Sequence, residues 1–377
     1  MKKAIIYLED GTAFYGRSLG TAGETSGEVV FNTSMSGYQE ILTDPSYAGQ
    51  IVMMTYPLIG NYGVNREDVE SRGVYVKGFV VKEFCRFHSN FRSTQSLIDY
   101  LDEHHIIAVE GIDTRALTRR LRDKGSMRAI ISTEDFDLKS LSKKMEKVPL
   151  MEGADWVKDV TTSKTYVWPA EGAFKDKPRF KVAVVDCGVK LNILRIFAGL
   201  GCECHVVPSD TTFEDIMVIK PDGLFFSNGP GDPAAVTSVI ETAHKAIGKL
   251  PIFGICLGNQ ILGLAMGGRT YKLKFGHHGA NHPVMDSQRD RIGITSQNHG
   301  FCVDVDSLDK DKIEIINLNL NDQTVEGIRH KDYPIYAVQH HPEAAPGPHD
   351  ARYLFEDFIA LMAQSQSHKD TESQKSL

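Results

Sequence analysis

Apolar residues recur along the chain in two rhythms, and the change between them divides it. Up to about residue 150 the pattern is mixed. Ala4 to Leu8 and Glu28 to Phe31 read as short strands, with Glu9 to Thr12 as a turn after the first. Ser93 or Thr94 is placed to cap a helix carrying Leu97, Ile98 and Leu101. Asp113 is placed to cap another from Thr114 to Lys124, stopped by Gly125. Between these elements Phe31 to Gly49 is polar and glycine-bearing with no clean period, and long stretches of that kind inside a compact domain tend to carry function. The pattern predicts a mixed α/β N-terminal domain over residues 1–150.

From Met151 to Arg179 the periodicity fades into Thr, Ser, Lys, Pro and Gly, with Trp156 and Trp168 as isolated anchors, so residues 151–179 are expected to be an interdomain connection. Strand and helix then alternate at short spacing. Strands are expected at Phe180 to Val185, Glu203 to Val207 and Leu224 to Ser227, and helices at Leu191 to Leu200, Thr212 to Val218 and Ala235 to Ile247. Next comes Pro251 to Gly268, an apolar strand, a Cys flanked by glycines, and a helix. Ile313 to Leu318, Thr324 to Ile328 and Ile335 to Gln339 add strands, and Asp350 is expected to cap a final helix to about Ala363. This alternation predicts an α/β domain over residues 180–363 with a doubly wound, mostly parallel sheet, whose ligands lie beyond the carboxyl ends of the strands. Residues 364–377 are polar and charged, and are expected to form a disordered tail.

The totals narrow the class of partner. A net charge of -7, from 42 basic and 49 acidic residues, gives no electrostatic reason to expect nucleic acid or an anionic membrane. No apolar run reaches membrane-span length, and Glu9 and Asp10 interrupt the N-terminal one, so neither a membrane span nor a secretory signal is expected and the location is expected to be cytoplasmic. Six cysteines without regular spacing suit reduced thiols.

Three features of the second domain each follow a predicted strand and so converge on one sheet edge. Cys256 stands at a strand-turn-helix elbow, where unpaired N–H groups and the helix dipole favour thiolate. Ser227 to Pro233 is a glycine-bearing loop at a helix start, and His341 and Glu343 follow a third strand. A Cys, a His and a carboxylate brought together form a nucleophile, a general base and an orienting group for acyl transfer, with the loop and the Leu257 N–H as an oxyanion hole. Each signal alone has a bland reading: a buried structural Cys, a turn, a strand-end His, a solvated carboxylate.

Together, Gly254-Ile255-Cys256-Leu257-Gly258-Asn259-Gln260 and His341-Pro342-Glu343 resemble the class I, or triad, glutamine amidotransferases, from about Phe180 to Met362. The resemblance implies that Cys256 attacks the glutamine side-chain amide, His341 moves protons and Glu343 orients His341. Outside that region Phe31 to Tyr47, Thr55 to Asn61, Val109 to Arg115, Phe275 to Pro283, Gln297 to Phe301 and Pro342 to Asp350 resemble the small, glutamine-hydrolysing subunits of carbamoyl-phosphate synthases. That likeness places glutamine contacts on Ser46, Gly229, Gly231, Leu257, Gln260, Asn298, Gly300 and Phe301. It also implies L-glutamine as substrate, a separate large synthase subunit as partner, and no cofactor in this chain, with ATP and Mg expected in the large subunit.

The chain departs from the family pattern at Asn259, where many members have His, and at His340, where related sequences often have Gly. Alternation along a strand turns His340 and His341 to opposite sides, and only His341 keeps the spacing to Glu343. His277, His278, His282 and His299 are not assigned to a metal, because no Cys or carboxylate in the sequence completes a recognisable ligand set. Two rivals stay open: the glutaminase of another synthase, and a scaffold that keeps the fold without the reaction.

Overall fold

The computed structural model describes residues 2–375, with side chains to residue 367. Seven N-terminal strands close into a barrel: Lys2–Leu8, Ala13–Leu19, Glu24–Asn32, Gln50–Met54, Gly78–Val80, Ala108–Glu110 and Met127–Ser132. Lys2–Leu8 pairs with its neighbour Ala13–Leu19 and also with the distant Met127–Ser132, and the second pairing closes the ring. Strand alternation divides the side chains. Ala4, Ile6 and Leu8 join one core with Phe31, Met53 and Ile131, while Ile5 and Tyr7 pack on Leu141 and Met145 of helix Leu138–Met145.

The polar stretch between the third and fourth strands is ordered by its own residues. Helix Tyr38–Thr43 leads into a single 3-10 turn, Pro45–Tyr47, whose Ser46 N–H donates to the Asp44 carboxylate at 2.9 Å. Helix Leu97–Glu103 is capped by Ser96, not by Ser93 or Thr94; the Thr94 hydroxyl is engaged with the Val64 carbonyl at 3.2 Å. Asp113 caps Thr114–Lys124 as expected, accepting from Ala116 N–H.

The second sheet has a parallel centre of five strands, in the order Cys202–Pro208, Phe180–Asp186, Gly223–Phe226, Ile252–Ile255 and Ile335–Val338. Both faces are covered. Helices Phe213–Val218, Thr237–Ala246 and Leu257–Ala265 bury Ile216, Val239, Ala243, Ile261 and Leu262 on one side. Helices Leu191–Gly199 and Tyr353–Lys375 bury Leu194, Phe197, Phe355 and Phe358 on the other. This is the doubly wound arrangement that the alternation predicts.

The parallel centre is extended by antiparallel strands, of which the two near Ile313 and Thr324 were expected and the long arm beyond them was not. Val325–His330 and Ile313–Asn319 follow Ile335–Val338, and beyond them lies a long arm of Thr270–Asp286 against Arg291–Val303. On the opposite edge, Tyr166–Trp168 pairs antiparallel with Cys202–Pro208, so part of the expected connection is built into the sheet.

Two expectations at the C-terminus do not hold. Asp350 does not cap the last helix, which begins at Tyr353; its carboxylate accepts from Ile294 N–H at 3.1 Å. The helix also continues to Lys375 where a disordered tail was expected from residue 364, since residues 364–375 hold neither Gly nor Pro to stop it. Residues 376 and 377 of that tail lie outside the described residues. Among the described residues, no helix is long and apolar enough to cross a membrane.

Candidate active site

Cys256 sits between strand Ile252–Ile255 and helix Leu257–Ala265 with φ +55° and ψ −103°, a conformation that side chains other than Gly rarely adopt. The flanking glycines make the elbow possible. A Cβ on Gly254 would lie 2.8 Å from the Gly258 carbonyl, and one on Gly258 would lie 2.2 Å from the Phe226 carbonyl, so helix and sheet approach too closely for any larger residue. Cys256 N–H donates to Val338 O at 2.8 Å, tying the elbow to the next strand, and its thiol is 3.5 Å from Asn298 O.

That next strand delivers the expected base. His341 lies just past Ile335–Val338, held by its N–H to Ser296 O at 2.9 Å, and its Nδ1 is 2.6 Å from Glu343 Oε1. The other ring nitrogen, Nε2, makes no hydrogen bond. Both side chains are buried. Burial alone would lower the His341 pKa, but the Glu343 carboxylate and Cys256 outweigh it and hold the ring's proton well above the ordinary imidazole range. Burial alone would raise Glu343, but Lys190 and His341 outweigh it and bring its pKa to about 2.

The signs of these shifts define a pH window. The His341 contribution to stability is complete below its ordinary pKa of 6.5 and is lost as pH rises through the raised value; that of Glu343 is complete above 4.5 and is lost as pH falls towards 2. The melting-temperature difference between wild type and Glu343→Gln is therefore expected to be largest between pH 4.5 and 6.5 and to shrink on both sides. Thermal scans across pH check this; a difference independent of pH would contradict the coupling.

A narrow cleft opens beside Cys256. Of the eight residues expected to contact glutamine, Ser46, Gly229, Gly231, Gln260, Asn298, Gly300 and Phe301 line it, while Leu257 follows Cys256 in the first turn of its helix. His341 and Glu343 stand behind the Cys rather than in the cleft lining. Gly229 is forced by space, since a Cβ there would meet Cys187 O at 2.2 Å and Leu257 Cδ2 at 2.8 Å. Gln260 Nε2 donates to Phe301 O at 2.8 Å, so one expected contact residue positions another. Asn259 is fully buried beneath, with Nδ2 3.3 Å from Gln339 Oε1, a packing role that leaves the triad untouched.

The cleft is shared between barrel and sheet. Ser46 Oγ accepts from Asn228 Nδ2 at 2.9 Å, and Asp44 Oδ2 accepts from Asn298 Nδ2 at 2.8 Å. Glu28, Gln50 and Met151 add lining from outside the doubly wound sheet, and the Lys272 ammonium pairs with the buried Glu28 carboxylate.

The residue reading missed Lys190 and Asp44. Lys190, with 3% of its side chain exposed, donates to Glu343 Oε1 at 2.9 Å and to Ala344 O, so His341 and Lys190 share that one carboxylate oxygen. Burial lowers its pKa, but Glu343, Glu70 and Asp44 outweigh that and raise it to about 12. No local motif marks Lys190; its one signal is its position just after the first parallel strand, at the same sheet edge as Cys256.

Fold and site define the class: residues 183–361 match the family model described as glutamine amidotransferase class-I. Residues 6–131 match that of the carbamoyl-phosphate synthase small chain, CPSase domain. Relatives named carbamoyl phosphate synthase small chain match over nearly the full length. That of Syntrophotalea carbinolica is 53% identical over 96% of this chain and 98% of its own, and that of Aquifex aeolicus 53% over 96% and 99%. That of Nostoc sp. is 53% identical over 95% of each. The chain belongs to the carbamoyl-phosphate synthase small chain family.

Proposed function

We propose that this chain is the glutamine-hydrolysing subunit of a carbamoyl-phosphate synthase, releasing ammonia from L-glutamine and passing it to a large synthase subunit. The observation that carries the reading is the buried line Cys256, His341, Glu343, Lys190 ending at a cleft lined by Ser46, Gly229, Gly231, Gln260 and Asn298.

The Cys256 thiolate attacks the side-chain amide carbon of glutamine, and the oxyanion is met by the backbone N–H groups of Leu257 and the Gly229 loop. His341 gives its Nε2 proton to the amide nitrogen, the C–N bond breaks, and ammonia leaves a γ-glutamyl thioester. Water then loses a proton to His341 and attacks the thioester, releasing glutamate and restoring the thiolate–imidazolium pair. Glu343 keeps the ring oriented and the positive charge stabilised, and Lys190 keeps Glu343 ionised. Asn298, Gln260 and Ser46 supply polar partners for the amino-acid end of glutamine.

The large subunit would use ATP, Mg and bicarbonate to make carbamoyl phosphate for pyrimidine and arginine synthesis, in the cytoplasm. Protonated ammonia is no nucleophile, so delivery calls for a route closed to bulk water. The test supplies the chain and its co-purified large partner with amide-labelled glutamine in an excess of unlabelled ammonium. The expected outcome is label in carbamoyl phosphate in proportion to the glutamine; nitrogen drawn only from the ammonium pool would overturn the transfer.

A further inference from the structure

Next to the cleft lies a polar cluster that the proposed reaction does not use. His277 and His299 face each other across the antiparallel arm, and Glu326 reaches them from strand Val325–His330. A donor atom from each lies within 4.8 Å of the others, and all three residues are buried. The carboxylate that the local sequence lacks is thus brought in by strand pairing.

The hydrogen bonds around this cluster do not close with protein groups alone. His277 Nε2 is 2.8 Å from Asp322 Oδ2, an acceptor, so in the neutral ring the proton lies there and Nδ1 carries a lone pair. That Nδ1 makes no hydrogen bond and lies 3.8 Å from Glu326 Oε1, another acceptor. His299 Nδ1 is 2.8 Å from Phe301 O, which can only accept, so Nε2 carries the lone pair, and it lies 3.0 Å from Gln297 Oε1. Gln297 is fixed in that orientation because its Nε2 donates to Glu326 Oε2 at 2.9 Å. Glu326 itself is fully buried. With both rings neutral, two lone pairs therefore face acceptors around a buried carboxylate.

We propose that His277, His299 and Glu326 bind a divalent transition-metal ion, zinc by preference, with Asp322 as the outer carboxylate that orients His277. Two imidazoles and a carboxylate are a zinc ligand set, and a carboxylate on the far nitrogen of a ligating His is the usual means of fixing its tautomer. Ligand atoms about 2.0–2.2 Å from one tetrahedral ion stand about 3.3–3.6 Å apart, so a cluster whose atoms lie within 4.8 Å of one another would draw in by about an ångström around the ion. His340 Nδ1, without a hydrogen bond, lies 3.6 Å from Glu326 Oε2 and outside this group of three. Extra protons are the competing way to reconcile the lone pairs. The ion would pin Val325–His330 to the arm that carries Asn298, Gly300 and Phe301.

The full chain, supplied with zinc and then desalted, is expected to hold about one equivalent by elemental analysis. Cobalt in its place is expected to show tetrahedral ligand-field absorption. His277→Ala and Glu326→Gln should lose the metal, whereas Cys256→Ser should keep it. Asp322→Asn leaves the three ligands in place and should weaken zinc about 10–100-fold in competition with a chelator. Zinc-free wild type after supply, or wild-type zinc content in both ligand variants, would overturn the site and leave a proton-bridged network. Circular dichroism identifies variants that fail to fold, and Asp322→Asn then carries the decision.

Discussion

Cys256→Ser is expected to abolish glutamine-dependent carbamoyl phosphate formation, by about a thousandfold or more, while ammonia-dependent formation by the assembled enzyme persists. A serine fits the same elbow, since Cys256 and Ser differ by one atom and the φ of +55° is fixed by the backbone around it. What is lost is the more acidic and more nucleophilic sulfur. A hydroxyl must surrender its proton during attack, and His341, whose charged form is favoured by Glu343, is a poor acceptor for it. The two nitrogen sources separate the nucleophile from every other role of this chain. A variant that retained glutamine-dependent synthesis within about tenfold of wild type would remove Cys256 from the chemistry.

Lys190→Met is expected to destabilise the chain by about 3–5 kcal/mol, read from the shift in urea unfolding midpoint. Methionine fills the volume but leaves Glu343, fully buried, with His341 as its remaining charged neighbour among the groups that hold it ionised. Glu343 would then take up a proton at higher pH than in the wild type, and the acid limb of stability would move upward with it. If Lys190 acts through Glu343, the double variant with Glu343→Gln loses much less than the sum of the two single variants. Additive losses, or a single-variant loss below about 1 kcal/mol, would show that the pair is not coupled.

Legibility followed locality. The elbow at Cys256, the cap at Asp113 and the strand-helix alternation from Phe180 onward are local patterns, and each was readable. Recognised motifs pointed to most of the cleft lining, because those residues sit in short continuous segments. What stayed hidden depends on which strands pair. Nothing within Lys2–Leu8 announces that it closes a ring with Met127–Ser132, and nothing within Val325–His330 announces that Glu326 will meet His277. Lys190 and Asp44 are single polar residues whose partners come from remote segments, and composition cannot distinguish them from solvated ones. The expected caps at Thr94 and Asp350 fail for a similar cause, since a distant group claimed the hydroxyl or carboxylate.

Asp44 belongs to the barrel side of the molecule, yet its carboxylate holds Asn298 of the arm and approaches Asn228 of the glycine loop at 3.4 Å. In the proposed reaction, substrate affinity then depends on how the two halves are seated. A change in that seating would move Ser46 relative to Asn298 and Gln260 while leaving Cys256, His341 and Glu343, all carried by the second sheet, in place.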